Sequence, residues 1–239
     1  MILIIAGQKG GVGKSTTAVC LAHQLLDRGT VCLVNADRQE TAKNWSDDRT
    51  EWEVKQIPCY KFLNNIYKPI QDLDSEYDFT VVDVPGRDSQ ELRTGLSAAH
   101  IALYQVKPSQ PDIDTLDECR GFLKKAKKVN PDLKHFTFFS DVSIKSKKLL
   151  MEANVVKDDY PDMNFIPQFI KHREVYTDVM VDGLAPIEFG TKQGSEADKE
   201  LKLLLERVLD VKDKAKKRGA QRKSRNNRSG GRSIRTKSI

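Results

Sequence analysis

The sequence predicts an α/β fold in which a mostly parallel, twisted sheet is covered by helices on both faces. Short apolar runs recur along the chain, and segments with helical apolar spacing lie between them. The run Ile2–Ala6 is apolar throughout, which favours a strand that is buried on both faces. Strands that alternate with helices predict parallel βαβ units. The 239 residues are enough for one such domain with a large core.

The apolar pattern predicts strands and helices in alternation along the chain. The expected strands are Ile2–Ala6, Thr30–Asn35, Glu53–Ile57, Phe79–Val84, Ile101–Val106, His135–Phe139 and Asn164–Ile166. The expected helices are Lys14–Arg28, Glu40–Arg49, Phe62–Asp72, Ser89–Ala98, Asp112–Val129, Ser146–Asp158, Glu174–Asp182 and Glu196–Lys217. We therefore expect one folded domain over residues 1–211 and a separate C-terminal tail over residues 212–239.

The charge of the chain is concentrated in that tail. The formal net charge is +6, whereas residues 212–239 hold twelve Lys or Arg and one acid, a net +11, so the remainder carries −5. Residues 221–239 are rich in Ser, Arg, Asn and Gly, a composition that predicts flexibility unless the segment is bound. A segregated basic tail indicates a polyanion partner, most often nucleic acid and less often an anionic membrane. A tail that only aids solubility is the alternative.

Composition argues against several classes of protein. No apolar run approaches the roughly 18 residues that cross a membrane, and the N-terminal apolar stretch runs into a Gly-rich loop, so we expect no signal peptide. The cysteines, Cys20, Cys32, Cys59 and Cys119, lack the clustered spacing of a metal or iron–sulfur site. They are expected to be thiols in a reducing cytoplasm.

The most specific motif joins the first strand to the first helix. Gly7 and Gly13, followed by Lys14 and Ser15, fit the pattern G-x-x-x-x-G-K-[ST]. Glycines let the backbone curl so that its N–H groups, and the N-terminus of the helix, face a phosphate. Lys14 would reach the terminal phosphates and the Ser15 hydroxyl would ligate Mg²⁺. The expected nucleotide-binding residues are Gly10, Gly11, Val12, Gly13, Lys14, Ser15 and Thr16. A Gly-rich turn with a chance lysine is the alternative.

An additional lysine makes this motif more specific. The segment from Lys9 to Thr16 reads K-G-G-x-G-K-S-T and resembles the deviant Walker A motif of the ParA/MinD family of P-loop ATPases. The resemblance implies ATP and Mg²⁺ as cofactors and an ATP-dependent homodimer. It also implies that Lys9 reaches the ATP of the partner subunit, so that Lys9 joins Lys14 as a catalytic residue. A solvated loop lysine is the alternative interpretation.

Two further strand ends resemble motifs of the same family. Asp83 ends the apolar run from Phe79 and resembles a Walker B carboxylate that holds Mg²⁺, and Gly86 follows in what looks like the switch II turn, where its N–H could donate toward the γ-phosphate. Asn35 and Asp37 stand where the family has D-x-D-P-Q. The resemblance implies that Asp37 positions the attacking water, and that Asn35 serves the Mg²⁺ site with an uncharged oxygen.

The second of these motifs departs from the family pattern in two places. Asn35 replaces an aspartate and Arg38 replaces a proline, which bears on Mg²⁺ binding and on the rate of hydrolysis. An ordinary turn in which Asp37 caps a helix is the alternative.

Later segments carry weaker resemblances. Lys107–Asp112 resembles a loop that follows a family strand and belongs to an interface or switch. Pro167–Gly190 resembles the last block of short plasmid-partition ParA proteins of the ParF type, which implies adenine contacts between Pro167 and Val175. Ser140 and Asp141 stand where relatives often carry a base-reading asparagine.

Taken together, the motifs predict a slow, partner-stimulated ATPase that segregates plasmids. It would dimerise on ATP, bind DNA without sequence preference through basic surface and tail, and be released by a centromere-binding adaptor protein. This predicts a cytoplasmic, nucleoid-associated protein. The alternatives are a MinD-like membrane or conjugation-associated positioning ATPase, and a nucleotide-dependent DNA-binding switch with little turnover. Beyond Val211 the only large apolar residues are Ile234 and Ile239, so membrane anchoring is not expected.

Overall fold

A computed structural model describes residues 1–143 and 155–209, and shows a seven-stranded sheet in which every adjacent pair is parallel. The strand order is β3-β2-β4-β1-β5-β6-β7. The strands are β1 (Ile2–Ala6), β2 (Val31–Asn35), β3 (Cys59–Lys61), β4 (Phe79–Asp83), β5 (Ile101–Val106), β6 (Lys134–Val142) and β7 (Phe165–Lys171). The predicted fold class is therefore confirmed.

Helices connect the strands and cover both faces of the sheet. They are α1 (Lys14–Leu25), α2 (Thr41–Asp48), α3 (Tyr67–Glu76), α4 (Gln90–Ala98), α5 (Gln110–Ile113), α6 (Leu116–Val129), α7 (Val175–Asp182) and α8 (residues 192–209). Short 3₁₀ helices span Arg49–Glu51, Pro161–Met163 and Pro186–Phe189, and residues 155–159 are also helical. The tail and most of the helix expected over Ser146–Asp158 lie outside the described residues.

The core has two layers, one on each face of the sheet. In β1, Ile2 and Ile4 pack into the layer under α3, α4 and α6, whereas Leu3 and Ile5 pack into the layer under α1, α2, α7 and α8. Successive side chains of a strand point to opposite faces, so a strand between two helical layers must be apolar at every position. This explains why the first strand shows a continuous apolar run and no alternation.

The strand expected at Glu53–Ile57 was wrong, since the structure places β3 at Cys59–Lys61. In the expected segment, backbone carbonyls accept hydrogen bonds from side chains and not from a neighbouring strand. Ser46 donates to the Ile57 carbonyl at 2.8 Å and Arg49 donates to the Lys55 carbonyl at 2.9 Å. The helix expected at Asp112–Val129 is divided, because the Thr115 hydroxyl donates to the Asp112 carbonyl at 2.7 Å where α5 ends and α6 begins.

A buried ion pair ties the end of α2 to the segment after α7. The Arg49 side chain is fully buried and makes a bidentate contact of 2.7 Å per bond with Glu188. It also donates to the Gly183 carbonyl at 3.0 Å and lies 5.1 Å from the centre of the Trp45 ring. Such a contact is strongly destabilising to break, because removal of one partner leaves the other charge buried alone.

The strand order places several strand ends together at one point of the sheet. The central strand β1 lies between β4 and β5, and its Ile5 is in register with Asp83. On the far side of β4, Asn35 of β2 is in register with the same Asp83. Chain connections from β1 and β4 leave toward opposite sides here, and open α/β sheets bind ligands at the carboxyl ends of strands at such a switch point.

Candidate active site

Left-handed glycines shape the loop between β1 and α1. Gly11 and Gly13 have φ of 74° and 95°, a region that side chains with a Cβ seldom adopt. A Cβ on Gly7 would lie 2.8 Å from the Gln105 carbonyl oxygen of β5, which explains why this position also needs glycine. The loop leads directly into the first turn of α1, which begins at Lys14. The backbone N–H groups of that turn form an anion site by their position alone.

Lys14 is turned back onto its own loop. Its ammonium donates to the Lys9 carbonyl at 2.9 Å, and only 7% of the residue is exposed. Burial lowers the pKa of Lys14, while the nearby Asp83 and Asp37 carboxylates oppose that shift. A Cβ on Gly86 would lie 2.5 Å from the Lys14 ammonium and 2.5 Å from the Lys9 carbonyl oxygen, so the turn after β4 closes directly over this contact.

Asp83 and Asn35 supply buried oxygen atoms beside Ser15. Both residues are fully buried, and both Asp83 carboxylate oxygens and the Asn35 Oδ1 have no hydrogen-bond partner in the part of the chain that is described. Burial raises the pKa of Asp83 to about 7, and the neighbouring Ser15 and Lys14 oppose the shift. Unpartnered buried oxygens are costly unless something occupies them. Hydroxyl and carboxylate oxygens suit Mg²⁺, which also keeps several of its waters.

No group of three or more His, Cys, Asp or Glu residues within residues 1–143 and 155–209 could hold a metal ion. Asp83 and Ser15 are the side chains that would hold a magnesium ion here, and Mg²⁺ in proteins is commonly bound by one or two carboxylates together with substrate phosphates and water.

Asp37 lies at the opening of the site and is not a helix cap. Its carboxylate accepts a hydrogen bond from the Gln39 N–H at 3.1 Å, which forms a local turn. The residue at the N-cap of α2 is Glu40, which has a left-handed backbone and makes no side-chain capping bond. The Asn35 amide donates to the Asp37 carbonyl at 2.6 Å and so fixes the backbone from which the Asp37 side chain projects. The cap alternative is therefore not supported.

These elements surround one open cleft of 510 Å³. Its lining includes most of the residues expected to bind nucleotide, namely Gly10, Gly11, Gly13, Lys14, Ser15, Thr16, Asp37 and Gly86. Four other residues from the sequence-based set lie elsewhere: Asn35 and Asp83 are buried, Val12 lines a neighbouring cavity, and Lys9 is the fourth. The half-buried Lys9 lines neither cavity with its side chain and contributes its carbonyl to the Lys14 contact.

The neighbouring cavity contains Gln105, a polar residue that sequence reasoning missed, beside Ser140, which stands where relatives often carry a base-reading asparagine. The cavity measures 200 Å³ and shares Gly11, Gly13 and Thr16 with the main cleft. The Gln105 amide donates to the Val12 carbonyl at 2.6 Å, and the Ser140 hydroxyl donates to the same atom at 3.2 Å. The one available signal for Gln105 was a lone amide in the otherwise apolar strand β5.

The rim of this smaller cavity carries a charged network. Asp141 has a φ of 57° and accepts a hydrogen bond from Lys107 at 2.8 Å and another contact from His172. Burial alone would raise the pKa of Asp141, but the contacts with Lys107 and His172 hold it below its ordinary value. Ile170 to Arg173 line the same cavity, within the segment where we expected adenine contacts. The Arg173 guanidinium is held by Glu196 and Glu200 at 2.8 and 2.7 Å.

A model of the CobQ/CobB/MinD/ParA nucleotide-binding domain matches residues 3–222. The chain belongs to this family. A related protein is the maintenance of carboxysome distribution protein A of Halothiobacillus neapolitanus, which is 27% identical over 212 residues, or 87% of this chain and 95% of that protein. Protein ParA of Rhizobium radiobacter is 28% identical over 112 residues, or 46% of this chain and 50% of that one.

Solved structures share the fold of this chain. The ATP complex of Cyanothece McdA superposes with a TM-score of 0.68 at 16% identity, covering 87% of this chain and 96% of that chain. At this identity the likeness concerns the fold alone, which agrees with the parallel sheet and the loop after β1. The resemblance recognised from Lys9 to Thr16 is thus confirmed at the level of the family. None of the described helices is both long enough and apolar enough to span a membrane.

Proposed function

We propose that this chain is an ATP-driven positioning ATPase whose two loop lysines act on different nucleotides. The observation that carries the proposal is their arrangement. Lys14 is buried and held at 2.9 Å by the Lys9 carbonyl, inside the cleft of its own chain. The Lys9 side chain makes no hydrogen bond or ion pair with the described residues, and it lies outside that cleft. One lysine would serve the nucleotide of its own subunit, and the other is available to a second subunit.

The residues of the cleft suit ATP hydrolysis. Lys14 would exchange the Lys9 carbonyl for the terminal phosphates, which carry a full negative charge and form stronger hydrogen bonds. Ser15 and Asp83 would hold Mg²⁺, which neutralises charge on the β- and γ-phosphates. Asp37 projects into the cleft with a free lone pair and would orient the attacking water. Gly86 would offer its N–H to the γ-phosphate once Lys14 has moved.

Asn35 favours a slow reaction. It stands beside Asp83 on the neighbouring strand and supplies a neutral oxygen where the family pattern has a carboxylate. With one negative charge fewer, the site should hold Mg²⁺ less tightly in the absence of a partner protein. Turnover that depends on a stimulating adaptor is consistent with a positioning role, in which the lifetime of the ATP-bound state sets how long the protein stays in place.

The test of the proposal is the oligomeric state with and without ATP and Mg²⁺. Multi-angle light scattering should show a monomer that becomes a dimer with ATP, and Lys9→Ala should stay monomeric while it still binds nucleotide. Lys68→Ala is the matched control, because Lys68 is 75% exposed on α3 and contacts only Asp72 among the described residues. A Lys9→Ala protein that dimerises like the wild type would contradict the role of Lys9 across the dimer.

The proposed cargo is a plasmid, carried through non-specific DNA binding and an adaptor bound to a centromere-like site. The resemblance of Pro167–Gly190 to plasmid-partition ParA proteins supports this cargo, and the charge of residues 212–239 supports binding to nucleoid DNA. A protein compartment is a second candidate cargo, because the relative that maintains carboxysome distribution matches along nearly its whole length. Gene deletion separates them: plasmid loss per generation should rise for the first cargo, and clustered compartments should appear for the second.

A further inference from the structure

The outer surface of α6 carries the lysine ridge, which we define as Lys124, Lys125, Lys127 and Lys128. All four are exposed. A helix turns by about 100° per residue, so the four side chains cover an arc of about 160°. That arc lies opposite Cys119, Leu123 and Ala126, which are buried against the sheet. The ridge thus covers most of the solvent face of the C-terminal half of this helix, beside the exposed Val129, and it belongs to a body whose net charge is negative.

The ridge differs from Lys43 and Lys68, which lie on α2 and α3. Lys43 and Lys68 each pair with an aspartate four residues later, at Asp47 and Asp72. None of the four ridge lysines makes an ion pair with residues 1–143 or 155–209. Lys124 and Lys128 are instead a like-charge pair at i and i+4, an arrangement that costs a few tenths of a kcal/mol. The helix dipole favours cations in the last turn but not at Lys124, which lies before it.

Arginines already engage three acids of this region, namely Asp88, Asp117 and Asp162. Asp88 makes two contacts with Arg93, and Lys125 contributes only a minor share to the lowered pKa of Asp88. At the start of α6, Arg120 forms ion pairs with both Asp117 and Asp162. None of these three acids forms an ion pair with a ridge lysine in the described part of the chain.

The ridge stands at the edge of the sheet opposite the nucleotide cleft. The chain runs from α6 directly into the amino end of β6, where the Lys134 N–H donates to the His100 carbonyl at 3.1 Å. Asn130, next to the ridge, donates to the Ala99 carbonyl at 2.8 Å. A dimer that closes across the clefts at the carboxyl edge would leave both ridges in solvent. They would be available for a second partner at the same time.

We infer that the lysine ridge is a fixed DNA-backbone contact, separate from the C-terminal tail. This inference rests on the proposed function. Duplex DNA offers one charge per about 1.7 Å of its axis, and the ridge advances about 6 Å along α6, so its flexible ammonium groups can meet two or three phosphates. The apolar face of α6 is buried in the core, and the exposed Val129 alone is too little apolar surface for insertion into a membrane. Because lysines on phosphates carry no sequence information, this contact adds affinity without specificity.

The test measures duplex affinity against salt concentration, by fluorescence anisotropy with ATP and Mg²⁺, on the full-length protein. In the ridge variant the four lysines become glutamine, which keeps helix propensity close to that of lysine. The control removes the same total charge from other surface positions of the body, through Lys43→Gln, Lys68→Gln, Arg93→Gln and Lys199→Gln. Circular dichroism melts of all three proteins establish that each is folded.

The ridge variant should bind about tenfold or more weakly near 0.1 M salt, and its log–log salt slope should be shallower by about 2 to 3 per protomer. The control should follow the wild type. Equal slopes in the ridge variant and the control overturn the ridge contact alone, while a wild-type protein that binds no DNA overturns the proposed function as well. A ridge variant that binds DNA normally but loses binding to phosphatidylserine vesicles would also overturn the inference.

Discussion

Replacing Asp37 with alanine tests the chemistry of the cleft with little risk to the fold. The Asp37 side chain is half-buried, and its one hydrogen bond within the described chain is the 3.1 Å contact with the Gln39 N–H. Loss of one partly solvated hydrogen bond costs about 0.5–1.5 kcal/mol. For a protein of this size, that corresponds to a drop in Tm of roughly 1–6 °C. The Asp37→Ala protein should therefore be folded at ordinary assay temperatures.

The expected effect on hydrolysis is far larger than the effect on stability. A carboxylate that orients or deprotonates the attacking water contributes about 10²- to 10⁴-fold to the rate. Lys14, Ser15 and Asp83 remain in place in the variant, so binding of ATP and Mg²⁺ should survive. Phosphate release should fall by about two orders of magnitude or more, and the ATP-bound dimer should accumulate because its decay requires hydrolysis.

Single-turnover phosphate release and light scattering on the same samples measure both effects. Asp37→Asn should be equally slow, because the amide keeps the shape of the side chain without its basicity. Asp47→Ala is the matched control, since Asp47 is an exposed carboxylate on α2 whose contact is Lys43. If Asp37→Ala turns over within about threefold of the Asp47→Ala rate, the assignment of the water-positioning role to Asp37 is refuted.

Two further predictions concern the tail and the buried ion pair. Deleting residues 218–239 should weaken DNA binding and flatten its salt dependence, by up to roughly 5 in log–log slope, while basal phosphate release stays unchanged; equal slopes would exclude the tail as a DNA contact. Arg49→Met should lower the free energy of unfolding by about 3–5 kcal/mol in urea titrations, because Glu188 loses its bidentate partner. Burial alone would raise the pKa of Glu188, but its contacts with Arg49 and His23 hold that pKa below its usual value of 4.5. The ionised Glu188 stabilises the fold above pH 4.5, and this stabilisation is lost as the pH falls toward its lowered pKa. The wild type and Arg49→Met should therefore converge in stability under acid. A difference in unfolding free energy that stays constant with pH would contradict the role of the ion pair.

The parts of the site that the sequence predicted are those encoded within a few adjacent residues. The turn from Gly7 to Ser15 needs glycines at defined steps, and the structure uses Gly11 and Gly13 in left-handed conformations that other residues resist. Asp83 was predictable because a buried strand that ends in a carboxylate is costly without a ligand. In both cases the physical requirement involves residues that are adjacent in the sequence, so the sequence pattern alone reveals it.

The parts that the sequence did not predict depend on contacts between distant segments. Gln105 touches Val12, and Asp141 joins Lys107 to His172, in pairs that only the strand order brings together. The misplaced third strand has the same origin. Its segment looks extended and alternating, but Arg49, buried through its contact with Glu188, takes the Lys55 carbonyl that a strand would have paired. The tertiary contact of Arg49 therefore outweighed the strand propensity of this segment.

Asn35 stands where the family pattern has an aspartate, and its contact with a distant segment changes the chemistry of this motif. Asn35 and Asp83 lie in register on neighbouring strands, so an aspartate at position 35 would set two buried carboxylates side by side. Two like charges in one site raise each other's pKa and favour the metal that neutralises them. The asparagine removes that repulsion and uses its amide to hold the Asp37 carbonyl at 2.6 Å. The metal-free protein is therefore less strained than it would be with two acids, and Mg²⁺ relieves less repulsion when it binds. Asn35→Asp should accordingly bind Mg²⁺·ATP more tightly and release the Asp37 backbone from its fixed orientation.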